Sequence, residues 1–218
     1  MGKQTPKNRN ILHSAIANYF SPEELVRIRQ VIVGIAGLGG LGSNCAMNLV
    51  RSGFERFVFA DFDRVAPSNL NRQVYFPRHI GRLKTESLQE ILAALHPSIH
   101  LEMHSVRIDA LNVLPIFGQC DVIVEAFDRP ESKALIVEAF IDTAKVIVGA
   151  SGLAGFGESD RIVTRRVRDN FYLIGDAVSE VHDRLKPYAP CVAIAAAKQA
   201  DVVLSVVLSS VRKDGRVK

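Results

Sequence analysis

The sequence contains no tryptophan and only three cysteines in 218 residues. Cys45, Cys120 and Cys191 lie far apart and form no C-x-x-C pair. This spacing excludes the common structural zinc sites and a disulfide framework, and it is typical of a reducing compartment. We therefore expect no zinc, and we interpret Cys45 and Cys120 as packing residues.

The sequence also has little that would direct it to a membrane. Residues 1–10 are polar and lack the apolar centre of a signal peptide. The most apolar run near the C-terminus, residues 202–208, is far shorter than the roughly 20 residues that cross a bilayer. The expectation is a cytoplasmic protein with no membrane partner.

The excess of positive charge is small. A net charge of +4 and a pI near 9.1 suit an anionic partner such as a nucleotide or an acidic protein, although a solvated basic surface gives the same balance. Basic residues do not alternate with aromatic ones, which argues against nucleic acid as a partner. The length and the 48% of hydrophobic residues are enough for one sizeable domain.

The order of predicted elements indicates the fold class. Helical stretches at residues 43–51, 83–95 and 131–144 separate buried apolar runs, which lie at residues 31–36, 57–60, 101–106, 122–126 and 146–150. Alternating strands and helices predict a Rossmann-like α/β fold with a doubly wound, mostly parallel sheet. A helix is also expected to start at Ser21, because Pro22 and two acidic residues follow it.

The pattern changes after Gly149. A glycine-rich loop at 151–157 precedes an exposed strand at 161–167 and a partner strand at 171–175, which predicts an antiparallel C-terminal extension. A polar stretch at 176–190 leads to a final helix at 191–211. We expect one domain over residues 1–218, with a nucleotide-binding part at about 30–150 and a second part at about 151–211.

A glycine motif marks the candidate site. Gly37, Gly39 and Gly42 form G-x-G-x-x-G, with Gly40 inside it, directly after a predicted strand and before a helix. Backbone N–H groups and the helix N-terminus in this context bind phosphate. Asp61 ends the second predicted strand, where an acidic side chain binds ribose hydroxyls in dinucleotide sites. NAD and ATP both remain open at this point.

A polar cluster follows Asp61, and it consists of Asp63, Asn69, Arg72, Gln73 and Lys84. Hydride transfer has no obvious use for these residues. Cleavage of a phosphoanhydride does need fixed cations, because negative charge builds up on the α-phosphate and the leaving pyrophosphate.

These motifs, in this order and spacing, are similar to those of the ThiF/MoeB/HesA family, the relatives of ubiquitin-activating enzymes. The sequence most resembles the short ThiF branch, the adenylyltransferases of the sulfur carrier protein ThiS. The motifs that carry the resemblance are Gly37-Leu-Gly-Gly-Leu-Gly42, Asp61-Phe-Asp63, Ser68-Asn-Leu-Asn-Arg-Gln73, Gly81-x-x-Lys84, Glu125-Ala-Phe-Asp128, Ser151-Gly-Leu-Ala-Gly and Gly175-Asp-x-x-Ser-Glu180.

The resemblance implies an activity and a partner. The reaction would be ATP-dependent adenylylation of the C-terminal glycine carboxylate of a ubiquitin-like, ThiS-like sulfur-carrier protein ending in Gly-Gly, with release of pyrophosphate. The pathway would be thiamine thiazole biosynthesis, the enzyme a homodimer, and residues 151–211 the carrier-binding and crossover part. The sulfur donor stays open.

The resemblance also implies residue roles. The catalytic residues would be Arg72, Lys84 and Asp128, with Asp128 holding magnesium. ATP would be bound by Gly37, Gly39, Gly40, Gly42, Asp61, Asp63, Asn69, Arg72, Gln73 and Lys84. Asp128 is also a possible N-cap of the next helix. We interpret His79 as loop surface.

Several features stay open in the sequence. Cys191 is either a packing residue or a thiol that links covalently to the carrier, and Arg9 is a candidate to reach the phosphates of a partner subunit. The basic residues Arg161, Arg165, Arg166 and Arg168 suit either an acidic carrier surface or an ordinary exposed strand.

Three alternative functions remain to be tested. The first is an NAD-binding oxidoreductase, which would leave Arg72, Lys84 and Asp128 without a role. The second is adenylation of a different acceptor, either a molybdopterin carrier or a modified tRNA nucleoside. The third is a non-catalytic scaffold that binds a carrier, for which retention of the whole phosphate cluster is unexpected.

Overall fold

The structure, a computed structural model, describes residues 11–179 and 186–209 of the chain, so Arg9, Glu180 and residues 210–218 lie outside the described part. Seven strands form one sheet between two layers of helices. The strands are β1 Ile32–Ala36, β2 Arg56–Ala60, β3 His100–His104, β4 Val122–Glu125, β5 Val146–Ala150, β6 Val163–Arg168 and β7 Phe171–Gly175. The helices are α1 Ile11–Ile16, α2 Pro22–Gln30, α3 Gly40–Arg51, α4 Lys84–Leu95, α5 Val113–Phe117, α6 Pro130–Phe140 and α7 Ala189–Ser209.

The strand order is β3-β2-β1-β4-β5-β7-β6. All neighbouring pairs are parallel except β6 and β7, which are antiparallel. The predicted fold class is therefore confirmed. The central strands β1 and β4 are buried on both faces, which is why their sequences are continuous apolar runs. The edge strand β6 is exposed along almost its whole length.

Each face of the sheet is covered by its own hydrophobic core. On one face, α2, α3, α4 and α7 pack on the sheet through buried side chains such as Leu49, Leu88 and Val203. On the other face, α5 and α6 pack through residues that include Phe117 and Phe140. The order of β1 and its two parallel neighbours brings the carboxyl ends of β1, β2 and β4 together at one edge.

The start of α2 agrees with its sequence signature. The hydroxyl oxygen of Ser21 accepts a hydrogen bond from the backbone N–H of Glu24 at 3.2 Å, and the Glu24 carboxylate accepts one from the Ser21 N–H at 2.8 Å. This capping box satisfies two N–H groups that a helix start otherwise leaves unpaired. The short helix α5 was not predicted, because five residues carry too little helical periodicity.

The final helix α7 is long and apolar enough, by length and composition, to cross a membrane, and residues 202–208 are only part of it. However, 56% of its most apolar stretch is buried inside the fold. Residues such as Ala195, Ala196 and Val203 belong to the core that α7 shares with α3. These contacts are typical of the core helix of a globular protein.

Candidate functional site

The predicted glycine motif forms the turn between β1 and α3. Gly37 has a φ of +95°, a left-handed conformation that favours glycine. Gly39 is the N-cap of α3 and offers no side-chain hydrogen bond to the first helical N–H groups. Because the start of α3 lacks a side-chain cap, its N–H groups and the positive end of the helix dipole are available to an anion.

Close packing explains why the turn consists of glycines. A Cβ on Gly37 would lie 2.8 Å from the carbonyl oxygen of Ala126, and one on Gly42 would overlap the carbonyl oxygen of Gly37. A Cβ on Gly40 would lie 2.7 Å from Cγ1 of Val192 at the start of α7. The turn therefore contacts both the segment that follows β4 and the beginning of α7.

Asp61 joins the end of β2 to the glycine turn. Its carboxylate accepts hydrogen bonds from the N–H of Leu38 at 2.6 Å and from the N–H of Asp63 at 2.8 Å. Burial raises the pKa of Asp61, and the nearby Lys84 ammonium opposes this effect. Asp61 is only 8% exposed, so a ligand would reach it through one edge of the carboxylate.

Lys84 lies at the first position of α4 and is buried. Its Nζ is 2.7 Å from Oδ2 of Asp63 and 3.7 Å from Oδ2 of Asp61. A cation at a helix N-terminus is opposed by the helix dipole, and these two carboxylates offset that repulsion. The structure thus brings together three of the predicted site residues, with the ammonium held by acidic side chains.

Arg72 and Gln73 lie over the start of α3. A Cβ on Gly40 would lie 3.5 Å from Cγ of Arg72, and one on Gly39 would lie 3.8 Å from Nε2 of Gln73. The Arg72 guanidinium donates to the carbonyl of Ser68 at 3.1 Å. Within the described part of the chain, the buried Oε1 of Gln73 has no hydrogen-bond partner. The predicted placement of both residues beside the turn agrees with this geometry.

Asn69 has a structural contact of its own. Its Oδ1 accepts a hydrogen bond from the N–H of Ala66 at 3.0 Å and closes the short 3-10 helix Pro67–Asn69. Asn69 therefore shapes the loop that carries Arg72, whose N–H donates to the Asn69 carbonyl at 3.2 Å. Contact of Asn69 with a phosphate stays a prediction.

Two residues that hold this loop were not identified from the sequence. The Tyr75 hydroxyl donates to the carbonyl of Leu38 at 2.9 Å. Nδ2 of Asn44 donates to the carbonyls of Gly40 and Arg72, at 2.7 Å and 2.9 Å. Tyr75 lies two residues after Gln73, and this position was the one sign in the sequence that it belongs to the same loop. A buried tyrosine needs a hydrogen-bond partner for its hydroxyl, and here the partner is in the glycine turn.

Asp128 follows β4 on the other side of the turn. It is exposed and forms no hydrogen bond or ion pair with residues 11–179 or 186–209. The N-cap of α6 is Arg129, so the alternative role of Asp128 as N-cap is wrong. The segment before it lies against the turn: a Cβ on Gly37 would be 2.8 Å from the carbonyl oxygen of Ala126 and 3.2 Å from Cδ1 of Phe127.

The interpretation of His79 as loop surface is wrong. His79 ends a 3-10 helix and is fully buried. Its Nδ1 accepts a hydrogen bond from the N–H of Phe76 at 3.1 Å, so Nε2 carries the proton that faces Glu90 at 3.3 Å. The neighbours of His79 in the sequence, Arg78 and Ile80, gave no sign that the loop folds over this ring.

Cys191 lies at a cavity of about 240 Å³ next to the glycine turn. Its thiol is buried and donates to the carbonyl of Gly155 at 3.1 Å. Besides Cys191, the lining residues are Gly152, Leu153, Ala154, Gly155, Phe156, Glu158, Arg161, Ile162, Asp176 and Ser179. Because Val192 packs on Gly40, this cavity and the turn are separated by the first residues of α7.

The other cysteines and the basic strand agree with their structural interpretations. Cys45 and Cys120 are buried, and burial raises the pKa of the Cys120 thiol to about 12. The arginines of β6 are exposed, and two of them pair with nearby acids: Arg166 with Asp169 and Arg168 with Asp142, both at 3.2 Å. Contact of these arginines with an acidic carrier stays a prediction.

Comparison with known proteins finds similarity to one family and to named adenylyltransferases. Residues 12–214 match the ThiF family. The chain is 33% identical over 134 residues to the adenylyltransferase and sulfurtransferase UBA4 of Candida glabrata, a match that covers 61% of this chain and 31% of UBA4. It is 34% identical over 128 residues to the sulfur carrier protein adenylyltransferase of Thermus thermophilus, which covers 58% of this chain and 47% of that protein.

The match therefore spans about a third to a half of the length of these relatives. Among solved structures, the E. coli tRNA N6-threonylcarbamoyladenosine dehydratase TcdA in complex with ATP has a TM-score of 0.86. The likeness covers 94% of this chain and 97% of TcdA, at 16% identity. At this identity it shows a shared fold alone.

Proposed function

Since the chain belongs to the ThiF family, we propose that it uses ATP to adenylylate the C-terminal glycine carboxylate of a ubiquitin-like sulfur-carrier protein. The carrier would be ThiS-like and serve the formation of the thiamine thiazole. One observation carries the proposal: a glycine turn with an uncapped helix start is bordered by the Asp61–Lys84–Asp63 cluster, by Arg72 and by the segment that leads to Asp128.

ATP fits this arrangement with its phosphates over the turn. The N–H groups at the start of α3 would donate to phosphate oxygens, and Asp61 would accept from the ribose hydroxyls. Arg72 lies beside Gly40 and would offer its planar guanidinium to the phosphates. Lys84 would have to turn from Asp63 to a phosphate, and Asp63 is exposed enough to release it.

Magnesium fits the residues present at Asp128. No group of three or more His, Cys, Asp or Glu side chains forms a metal site among the described residues, so a metal here needs ligands from the nucleotide. Magnesium is commonly bound by one or two carboxylates together with phosphate oxygens and water. It would supply positive charge against the phosphates, and Asp128, exposed and with no hydrogen bond or ion pair to the residues that the structure describes, would hold it.

The proposed step needs no general base. The carrier's terminal carboxyl has an ordinary pKa of about 3.5 and is ionised at neutral pH. One of its oxygens forms a bond to the α-phosphorus, and the bond from that phosphorus to the α–β bridging oxygen breaks. Pyrophosphate leaves with the electron pair, and a carrier acyl-adenylate remains. Arg72 and Lys84 would stabilise the charge that grows on the departing oxygens.

The cavity at Cys191 is our candidate for the place where the C-terminal tail of the carrier binds. It adjoins the glycine turn through Val192, and its wall is the loop that begins at Gly152. The two terminal glycines of such a tail have no side chains and would suit the cavity between this loop and Cys191 of α7. The carrier's name follows from the resemblance to the short ThiF branch, and the Thermus thermophilus relative is itself named for a sulfur carrier protein.

Exchange of radiolabelled pyrophosphate into ATP tests the acceptor. We expect exchange in the presence of a ThiS-like carrier with a free Gly-Gly terminus and none with the same carrier ending in an amide. A molybdopterin carrier and tRNA are the competing acceptors in parallel reactions. Exchange that depends on tRNA and not on any carrier would contradict the proposal.

A thermal-shift measurement separates ATP from NAD. We expect ATP with magnesium to raise the unfolding temperature, because a ligand that binds only the native state stabilises it. NAD should give no comparable shift. Stabilisation by NAD alone would favour an oxidoreductase, and stabilisation by ATP without any exchange would favour a scaffold.

A further inference from the structure

An ion pair between a buried carboxylate and a part-exposed ammonium lies where the chain leaves β4. Glu125 is the last residue of this strand and is only 2% exposed. Its carboxylate oxygens are 3.2 Å and 3.1 Å from Nζ of Lys133, which lies in the first turn of α6 and whose side chain is 27% exposed. Such a pair contributes little to stability, because desolvation of the carboxylate offsets the attraction between the charges. Its presence beside the candidate site therefore calls for a different explanation.

The pair also fixes the backbone on both sides. Oε1 of Glu125 accepts a hydrogen bond from the N–H of Phe127 at 2.7 Å. Nζ of Lys133 donates to the carbonyl of Ala150, the last residue of β5, at 3.0 Å. The Lys133 ammonium thus connects the carboxyl end of β4 with the carboxyl end of β5.

A third side chain holds the same two strands from the other face of the sheet. Nε2 of Gln199, on α7, donates to the carbonyls of Glu125 at 3.1 Å and Val148 at 3.2 Å. Gly149 of β5 lies beside the Glu125 carboxylate, and a Cβ there would be in ordinary van der Waals contact with Oε2, at 3.4 Å. The carboxyl ends of β4 and β5 are thus held by these side chains, in addition to backbone hydrogen bonds from the N–H of Ala126 to Ala36 and from the N–H of Ser151 to Ile174.

The segments that follow β4 and β5 lead to the two halves of the candidate site. The segment after β4 runs through Ala126, whose carbonyl packs on Gly37, to Asp128. The segment after β5 is the loop at Gly152 that lines the cavity beside Cys191. A shift of the Glu125–Lys133 pair would therefore move the Asp128 carboxylate relative to the glycine turn.

We propose that Glu125 and Lys133 are positioning residues that hold the Asp128 segment against the glycine turn and tie it to the acceptor loop. This inference rests on the proposed function, because it assigns Asp128 to the magnesium of a bound nucleotide. Neither residue touches the nucleotide in this account. Both act through the backbone from Ala126 to Asp128.

The test uses the double variant Glu125→Gln with Lys133→Met. Removing both charges together leaves no unpaired buried charge, so the fold is expected to persist. The control is Glu138→Gln with Lys198→Met, which removes one charge of each sign from positions where the structure shows no ion pair between described residues. Lys133→Arg with native Glu125 is the conservative variant.

The first readout is the affinity for AMPCPP, an ATP analogue that cannot be cleaved between its α- and β-phosphates, with and without magnesium. Loss of supporting contacts to a metal ligand typically costs about 10- to 100-fold in metal affinity. The double variant should keep its affinity for AMPCPP alone and lose about tenfold or more of the gain from magnesium. The control and Lys133→Arg should keep that gain. An unchanged gain in the double variant would overturn the inference.

The second readout needs no nucleotide. Hydrogen exchange of the Phe127 amide, which donates to Glu125, should be faster in the double variant, while exchange in β1 stays unchanged. Exchange as slow as in the native chain would refute the positioning role. If the native chain does not bind AMPCPP at all, the proposed function fails, and the exchange rates still decide whether the pair holds this segment.

Discussion

At the scale of single residues, Lys84 lies between two carboxylates beside the glycine turn, 2.7 Å from Asp63 and 3.7 Å from Asp61. Asp61, Arg72 and Lys84 were placed beside the turn by motif spacing, and the structure puts all three there. The burial of His79 could not be predicted, because it depends on how the loop that contains the 3-10 helix Pro77–His79 packs against α4. The pairing of Lys84 with Asp63 was likewise hidden, since it joins residues 21 positions apart.

The role of Asp128 gives the first prediction. Asp128→Asn should keep the fold, because the side chain is exposed and forms no hydrogen bond or ion pair with the residues that the structure describes. We expect the rate of carrier-dependent pyrophosphate exchange to fall by about 100-fold or more at fixed magnesium, since a neutral amide is a poor magnesium ligand. Asp201→Asn, an exposed change on α7, is the control. Native exchange in Asp128→Asn would remove this residue from the site.

Glu90 gives a prediction about pH. Hydrogen bonds from Arg82 and His79 lower the pKa of Glu90 from 4.5 to about 2. A carboxyl whose pKa is lowered on folding contributes stability that is present above its unfolded pKa and is lost as the pH falls through its folded pKa. Glu90→Gln should therefore lower the unfolding temperature at pH 7, and the difference from the native chain should shrink between pH 4.5 and pH 2.

Glu86→Gln, an exposed change on the same helix, is the control for Glu90 and should leave this pH dependence intact. A Glu90→Gln chain as stable as the native one at pH 7 would show that the contacts with Arg82 and His79 do not stabilise the fold.

At the scale of elements, strands and long helices were predictable and short or irregular ones were not. The run Val146–Ala150 matches its prediction in both bounds, because it is buried on both faces and bounded by polar residues. The helix α7 begins at Ala189, two residues before its predicted start, since Pro190 is tolerated in a first helical turn. The five-residue helix α5 has no sequence signature of its own.

The glycine turn gives a prediction at this scale. Gly37 and Gly81 both have a positive φ, of +95° and +84°. A Cβ on Gly37 would strike the Ala126 carbonyl, whereas one on Gly81 would meet nothing within 4 Å. Gly81→Ala should therefore cost about 1–2 kcal/mol of unfolding free energy from backbone strain alone.

Gly37→Ala should cost about 1–3 kcal/mol more, because the added methyl group also needs space. It should weaken ATP binding as well, since the turn and the segment leading to Asp128 must separate. Urea unfolding and nucleotide titration of the two variants provide the comparison. Equal costs for both variants would mean that the contact with Ala126 is not tight.

At the scale of the whole molecule, the alternation of strands and helices was enough to predict the sheet. It did not predict the position of β6 and β7 at the edge of the sheet. The parallel strands β1, β2 and β4 carry the residues around the glycine turn at their carboxyl ends. The pair β6 and β7 extends the sheet beyond β5. The division at about residue 150 and the single-domain organisation stay predictions. The exposed arginines of β6 lie on the outer edge, where the sequence alone could not place them.

Assembly gives the prediction at this scale. We expect a homodimer, as the family resemblance implies, with a mass in solution of twice 23.9 kDa. Light scattering after gel filtration measures this mass directly. If Arg9 acts across the dimer, a mixture of Arg9→Ala and Arg72→Ala chains should recover up to about a quarter of native exchange activity, because one site in a mixed dimer keeps both arginines. An Arg9→Ala chain that keeps native exchange activity by itself would place Arg9 outside the site.

The fate of the phosphates tests the central claim most directly. The chain and its carrier are incubated with ATP labelled at either the α- or the γ-phosphate, and the products are separated. We predict that the α-label is found in the carrier adenylate and in AMP released from it, and that the γ-label is found in pyrophosphate. Release of the γ-label as inorganic phosphate, with the α-label retained in ADP, would contradict the account.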